Sequence, residues 1–273
     1  MALLRTFILL FLPLLFCGGT AFACSVFYYI DEATGNIYAV NNEDYFYDTD
    51  AYIQVQPAKG KKFARLWYGW DDFAQGGINE KGLFFDGAVT PGQERPKGYK
   101  GPKGNLGDRI LASCGTVAEA LAYLERKKIA LDNAHMMFGD RLGNAVVVEW
   151  VNGKRNIVRI KENRLLMTNF NLSDTAVDGI SCPRYLAIDK ELQRLQSLKT
   201  PVDLKMLGNA GARGVQVPMK TETGRRGGTL YSSFINISEM KMILVYQLDN
   251  EKTTQLDLNE IFAKNTARTI PLE

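Results

Sequence analysis

Histidine is nearly absent from this chain: the 273 residues hold one, His135. Schemes that pair a serine or cysteine nucleophile with an imidazole base therefore have a single candidate. It lies in an apolar, strand-like run, Ala134-His135-Met136-Met137-Phe138, a setting that suits a hydrogen-bonded core residue better than a base. A zinc site needs several ligands at close spacing, and one histidine with dispersed cysteines does not supply them. There is no Gly-x-Gly-x-x-Gly behind a strand and no phosphate loop ending in Gly-Lys-Ser/Thr. No metal or organic cofactor is expected. Charge of one sign is also scarce, since 33 Lys and Arg face 30 Asp and Glu for a net +3. That excess is too small to suggest nucleic acid. The lysines at Lys59-Gly60-Lys61-Lys62 and from Lys97 to Lys103 sit among glycines and prolines and read as solvated turns. Beyond residue 23 no apolar stretch approaches the ~20 residues that span a bilayer. Repeats and low-complexity tracts are missing too.

What is present begins at the N-terminus. Arg5 precedes an apolar run from Phe7 to Phe16, and a small-residue segment closes in Thr20-Ala21-Phe22-Ala23 before Cys24. This is the layout of a cleavable secretory signal, with the cut expected between Ala23 and Cys24. A secreted or periplasmic protein is expected, with residues 1–23 removed and 24–273 forming one domain. A lipoprotein signal would place its anchor on the same cysteine, but bulky Phe22 fits an ordinary signal peptidase better. Processing would leave Cys24 first, carrying a thiol and a free α-amine. An α-amine with a reference pKa of about 7.7–8.0 is neutral often enough near neutral pH to take the thiol proton. With no histidine partner, self-activation of Cys24 is the favoured scheme. The shortened chain keeps Cys24, Cys114 and Cys182. That odd count flags a free thiol, and pairing of Cys114 with Cys182 stays open.

Aromatic and β-branched runs predict strands over residues 25–30, 37–42, 52–55 and 63–68. Gly77 to Gly82 reads as a tight turn feeding an apolar strand that ends at Val89. Five glycines and three prolines within residues 91–107 predict a long loop. The first helix is expected over 117–126, with Thr116 and Glu119 as a capping box. Strands follow at 134–138, 145–150, 157–160 and 165–168. Helices come next at 184–198, opened by Ser181 and Pro183, and at 202–207. A final hairpin is expected over 230–237 and 241–248. Two antiparallel groups with helices between them indicate an α+β fold.

In order along most of the chain, these segments resemble the choloylglycine hydrolase family, which includes bile salt hydrolases and penicillin V acylases among the N-terminal nucleophile hydrolases. The resemblance runs through Cys24-Ser25, Gly35-Asn36-Ile37-Tyr38, Asn41-Asn42-Glu43-Asp44 and Gly77-Ile78-Asn79-Glu80-Lys81-Gly82. It continues through His135 to Asp140 with Gly143 and Glu149, then Thr168-Asn169 and Ser181-Cys182-Pro183-Arg184-Tyr185. It implies a four-layer αββα sandwich. It also implies Cys24 as nucleophile, Asp44 orienting the new N-terminus, and Asn169 and the Val89 backbone N–H as oxyanion donors. Arg184 is implied to poise the thiolate. The family's arginine before Asn-x-Asp is Asn41 here, so a cation expected beside the thiol is missing. The expected function is hydrolysis of a small-molecule acyl amide at a linear, non-peptide carbon–nitrogen bond. Acyl transfer through the same acyl-enzyme, or a secreted or lipid-anchored binding protein of this fold, are the alternatives. The sequence leaves the oligomeric state open, a homo-oligomer included.

Overall fold

A computed structural model describes residues 24–174, 182–221 and 224–273. The expected secretory signal and the expected helix opener Ser181 lie outside the described residues. In chain order the strands are β1 (Ser25–Ile30), β2 (Ile37–Phe46), β3 (Tyr52–Gln56), β4 (Arg65–Trp70), β5 (Phe73–Asn79) and β6 (Phe84–Val89). Helices α1 (Leu106–Ser113) and α2 (Val117–Lys127) follow. Then come β7 (Ala134–Gly139), β8 (Ala145–Val151), β9 (Lys154–Arg159) and β10 (Arg164–Met167). Helices α3 (Pro183–Ser197) and α4 (Leu204–Gly211) precede β11 (Met219–Lys220), β12 (Arg226–Asn236), β13 (Lys241–Tyr246) and β14 (Asp249–Asp257). The chain ends with α5 (Leu258–Ala263) and β15 (Arg268–Pro271).

One sheet runs β10-β1-β2-β12-β13-β14, with β11 on β12, and the other runs β15-β3-β4-β5-β6-β7-β8-β9. The period-two alternation of strand side chains sorts the residues into layers. In β1, Val26 and Tyr28 enter the core between the sheets, while Phe27 and Tyr29 meet Ile188 and Leu192 of α3 and Leu207 of α4. In the other sheet Leu66, Tyr68 and Phe84 face the inter-sheet core. Trp67 and Phe85 face Ile110 of α1 and Leu124 of α2. The result is helix–sheet–sheet–helix, the four-layer αββα sandwich.

Local chemistry sets the boundaries. Thr116 Oγ1 accepts from the Glu119 N–H at 3.2 Å, and Glu119 reaches back to the Gly115 N–H at 2.5 Å, which caps α2 as expected. Gly82, at φ +80°, closes the turn from β5 into β6, with its N–H on Asn79 O at 2.9 Å. Three expectations fail. The loop over 91–107 gives way at Leu106 to α1, capped by Asn105 on the Asp108 N–H at 3.1 Å. Gly107 disguised this helix, yet it sits where a Cβ would overlap the Phe85 ring, so it is a packing requirement and not a breaker. β5 pairs with β4 over residues 73–79, where the sequence assigns only Gly77 to Asn79, as the start of the turn. The chain also continues past its expected last hairpin, through the polar edge strand β14, and crosses to pair β15 with β3.

The two sheets approach closely at Gly139, where the Tyr28 ring occupies the space a Cβ would need and Tyr28 Oη donates to Asp140 O at 2.6 Å. Gly139→Ala is therefore expected to cost about 1–3 kcal/mol by overpacking. Denaturant unfolding measures it, and a loss below ~0.5 kcal/mol would show that the sheets yield there.

Candidate functional site

Cys24 lies immediately before β1 and opposite the end of β2. Along β2, Ile37 and Ala39 face the inter-sheet core, and Tyr38 and Val40 face the helices. The alternation carries on into polar residues, placing Asn41 and Glu43 on the inter-sheet side and Asn42 and Asp44 on the helix side. Asn42 Nδ2 donates to Ser25 Oγ and to Gly211 O, both at 2.9 Å, and its Oδ1 accepts from Ser232 Oγ at 2.7 Å. These bonds tie the start of β1 to β12 and α4. On the same side Asp44 Oδ1 accepts from Thr229 Oγ1 at 2.5 Å, next to a bulge where β12 slips between Thr229 and Tyr231. Asp44 Oδ2 lies 3.5 Å from Arg184 Nη1.

Arg184 stands in the first turn of α3. It donates to the Cys24 carbonyl at 3.3 Å and to Asn169 Oδ1 at 3.2 Å. Asn169 Nδ2 in turn donates to Val89 O at 2.8 Å. The five residues implied by the resemblance thus form one connected group, held by contacts between β1, β2, β6, α3 and the segment after β10. Arg184 reaches the Cys24 carbonyl rather than its sulfur, so in this geometry it orients Asp44 and Asn169. Val89 owes its place to register: the Thr90 N–H bonds Asn133 O at 2.9 Å, and Val89 lies opposite Ala134. In an antiparallel ladder such neighbours point to opposite edges. The Val89 N–H and carbonyl therefore face away from β7, towards an edge that β5 has left, because pairing of β5 with β6 stops at Asp86.

The thiol itself donates to Glu43 Oε1 at 3.2 Å. Burial pushes the thiol pKa up, and the neighbouring Glu43 and Asp44 charges push it further. Asn41 meets the thiol only through Glu43, since its Nδ2 lies 3.5 Å from Glu43 Oε2 and 2.9 Å from Asp86 Oδ1. Tyr68 Oη donates to Asp86 Oδ2 at 2.8 Å. Sequence reasoning missed Glu43, Asp86 and Tyr68 as a group. One signal was available in Asp86, a carboxylate inside the otherwise apolar strand Phe84-Phe85-Asp86-Gly87-Ala88-Val89.

A cavity of about 290 Å³ opens on Cys24 and Glu43 and is walled by Phe73, Phe85, Leu106, Leu131 and Met136, with His135 in its lining. His135 is fully buried, and its Nδ1 meets Glu149 Oε1 at 3.0 Å. This is the core pairing expected for it, and no hydrogen bond joins it to the sulfur. Cys114 and Cys182 are both free thiols. Among the described residues no cluster of three or more His, Cys, Asp or Glu could hold a metal ion, and no helix is long and apolar enough to cross a membrane.

A family model described as acyl-coenzyme A:6-aminopenicillanic acid acyl-transferase matches residues 31–251. The chain belongs to this acyl-transferase family. The match takes in Asp44, Val89, Asn169 and Arg184 and begins after Cys24. Among solved structures, a variant of conjugated bile acid hydrolase from Clostridium perfringens is similar at TM-score 0.72 and 18% identity. The alignment covers 91% of this chain and 97% of that one. Penicillin V acylase from Agrobacterium tumefaciens is similar at TM-score 0.70 and 17% identity, over 90% of each chain. No curated protein matches. The expected resemblance to choloylglycine hydrolases and penicillin V acylases is borne out in the fold.

Glu149 anchors the segment that carries Asn169 in this family member. It accepts from the Leu172 N–H at 2.6 Å, the Ser173 N–H at 2.9 Å and Ser173 Oγ at 2.6 Å. Burial alone would raise its pKa, but these donors and His135 outweigh burial and hold it below the usual value. A depressed folded pKa stabilises above the unfolded value of about 4.3 and loses that stabilisation as pH falls through the folded one. Amide-exchange protection at residues 170–173, taken relative to the intrinsic rate at each pH, is therefore expected to fall below about pH 4, and Glu149→Gln to lower it already at neutral pH. Exchange unchanged in the variant would show that the segment is held by other contacts.

Proposed function

We propose that this protein is an exported cysteine amidase, secreted or periplasmic, that hydrolyses a linear, non-peptide carbon–nitrogen bond in a small acyl amide. The observation that carries the reading is the cavity on which a thiol and the Val89 edge meet, with the Asn169 amide tied to that edge. Removal of residues 1–23 would free the Cys24 α-amine. That amine is a base on the same residue as the nucleophile, in a corner whose carboxylates otherwise oppose thiolate formation. Asp44, held by Thr229 and Arg184, is placed to orient it.

In this reading the thiol proton passes to the α-amine and the sulfur attacks the amide carbon. The carbonyl oxygen gains charge beside the Val89 N–H and Asn169. An amide NH2 carries two hydrogens, and Asn169 uses one on Val89 O. The other is directed at the oxyanion, where a preorganised donor contributes roughly 3–4 kcal/mol to the transition state. Collapse breaks the carbon–nitrogen bond, and the leaving amine takes its proton from the α-ammonium. Water then resolves the thioester. The aromatic and aliphatic cavity wall suits an uncharged, apolar acyl group, and the volume lies at the small end of the ~300–1,000 Å³ usual for ligand sites. The family description favours a second reading in which an amine replaces water, and product analysis with and without added amine acceptors separates the two.

Because the base requires a free amine, one trimming-resistant residue retained before Cys24 is expected to abolish turnover without unfolding the chain. Acylated homoserine lactones, phenoxyacetyl amides and conjugated bile acids form the substrate panel, and mass spectrometry checks the N-terminus. Equal activity of the extended form would exclude self-activation. Asn169→Ala is expected to lower kcat by about 10²–10³ with little change in KM. A rise in KM alone would make Asn169 a substrate-binding residue and place the oxyanion elsewhere.

A further inference from the structure

Two carboxyl groups lie buried on the inter-sheet side of Cys24. Glu43 is 4% exposed and Asp86 is 0%. Glu43 Oε1 meets the sulfur at 3.2 Å, while Glu43 Oε2 and Asp86 Oδ1 share the Asn41 amide. The groups facing them are the Cys24 thiol, with its α-amine once processed, Tyr68 of β4, Tyr231 of β12, and Asp44 on the opposite side of β2. His135 of β7 shares the cavity. Among the described residues neither carboxyl forms an ion pair with a lysine or arginine, and Arg184 pairs on the far side of the strand with Asp44.

Adjoining buried carboxyl groups cannot both ionise, so the pair retains a proton in common. Asp86 accepts from Asn41 Nδ2 at 2.9 Å, the Gly87 N–H at 2.9 Å and Tyr68 Oη at 2.8 Å. Glu43 receives only the thiol and the longer Asn41 contact at 3.5 Å. Several donors favour a charged Asp86, yet its burial and the neighbouring Glu43 charge outweigh them and push its pKa well above the usual carboxylate range, so both carboxyls resist ionisation and Glu43 keeps its proton. Asn41 at Oε2 leaves the hydroxyl on Oε1, the oxygen that meets the sulfur.

We propose that Glu43 is a catalytic residue acting as a neutral acid, which turns its carboxyl hydrogen onto the Cys24 sulfur when the thiol ionises. This rests on the reading of Cys24 as nucleophile. In the resting site the thiol donates to Oε1. When the thiol proton moves to the α-amine, Glu43 keeps its own proton and becomes the donor, so the contact persists with its direction reversed. Burial pushes the Glu43 pKa up to about 8, so the acid form persists through neutral pH. Above that value an ionised Glu43 repels the thiolate, and activity declines on the alkaline side.

The test is iodoacetamide alkylation of Cys24 against pH in the full protein, its N-terminus read by mass spectrometry. Peptide mass mapping separates Cys24 from the free thiols Cys114 and Cys182. At about pH 6–7, Glu43→Gln, which keeps a donor, is expected to react within about threefold of the wild type. Glu43→Ala, which removes it, is expected to react about tenfold more slowly. Above about pH 8 Glu43→Gln is expected to overtake the wild type, because the repelling charge is gone. Both variants reacting faster than wild type at about pH 6–7 would show an ionised Glu43 and overturn the proposal, as would an unchanged rate in Glu43→Ala. If the alanine variant does not fold, the protonated-carboxyl infrared band at neutral pH decides. It is expected in the wild type and weakened in Glu43→Gln, and equal intensity in both overturns the assignment. These readouts need no substrate. If no amide is turned over but the alkylation pattern holds, the amidase reading fails and Glu43 stands. Turnover without the pattern removes Glu43 alone.

Discussion

The site depends on one constraint, the two-residue alternation of β2 between a core of two sheets and a layer of helices. While β2 carries apolar residues, the alternation only sorts Ala39 from Val40. Over the next four residues the same parity separates two polar chemistries. Asn41 and Glu43 enter the dry space between the sheets beside the sulfur. Asn42 and Asp44 turn to the other side, where Ser25, Thr229 and Arg184 hold them. A slip of one residue would exchange the two sets. The bonds of Asn42 to Ser25, Gly211 and Ser232 resist such a slip, because they join three elements through one buried amide.

Parity also explains the electrostatics. Arg184 pairs with Asp44 and reaches no carboxyl on the inter-sheet side. That side holds Glu43, Asp86 and a thiol, with only amide and hydroxyl donors among them. Charge in such a space is costly unless paired, so protons stay and the thiol pKa rises. An unprocessed Cys24 therefore sits as a poor nucleophile. Cleavage at Cys24 would deliver the missing cation as the α-ammonium, beside the carboxylates that oppose the thiolate. In that account, processing and activation are one event.

Much of this was legible in the residues. Strands with aromatic and β-branched alternation, such as Ser25–Ile30 and Ala145–Val151, follow directly from period-two patterning, and the Thr116/Glu119 cap is local chemistry. The connection of Asp44, Val89, Asn169 and Arg184 needed the resemblance, because up to 140 positions separate them and no local rule joins them. Helix α1 was hidden because Gly104 and Gly107 carry loop signals, although Gly107 answers to the Phe85 ring. β14 was hidden because an edge strand with mostly exposed residues has no apolar period to show. The Glu43–Asp86 pair was hidden for a different reason. Carboxylates 43 positions apart meet only when β2 and β6 stack face to face from separate sheets, and pairing across a sandwich leaves no spacing rule in the chain.

Asn41 is where the chain departs from the charge that the resemblance implies beside the thiol. The resemblance implies an arginine at this position, where a cation would attract both carboxylates and the thiolate. An amide is smaller and neutral, and it joins Glu43 to Asp86 instead of ionising them. A protonated carboxyl can still donate to a thiolate, as a guanidinium would, but only while it keeps its proton. A guanidinium remains charged at every physiological pH, whereas a carboxyl pair titrates. Exchanging one for the other turns a fixed thiolate partner into one that depends on pH.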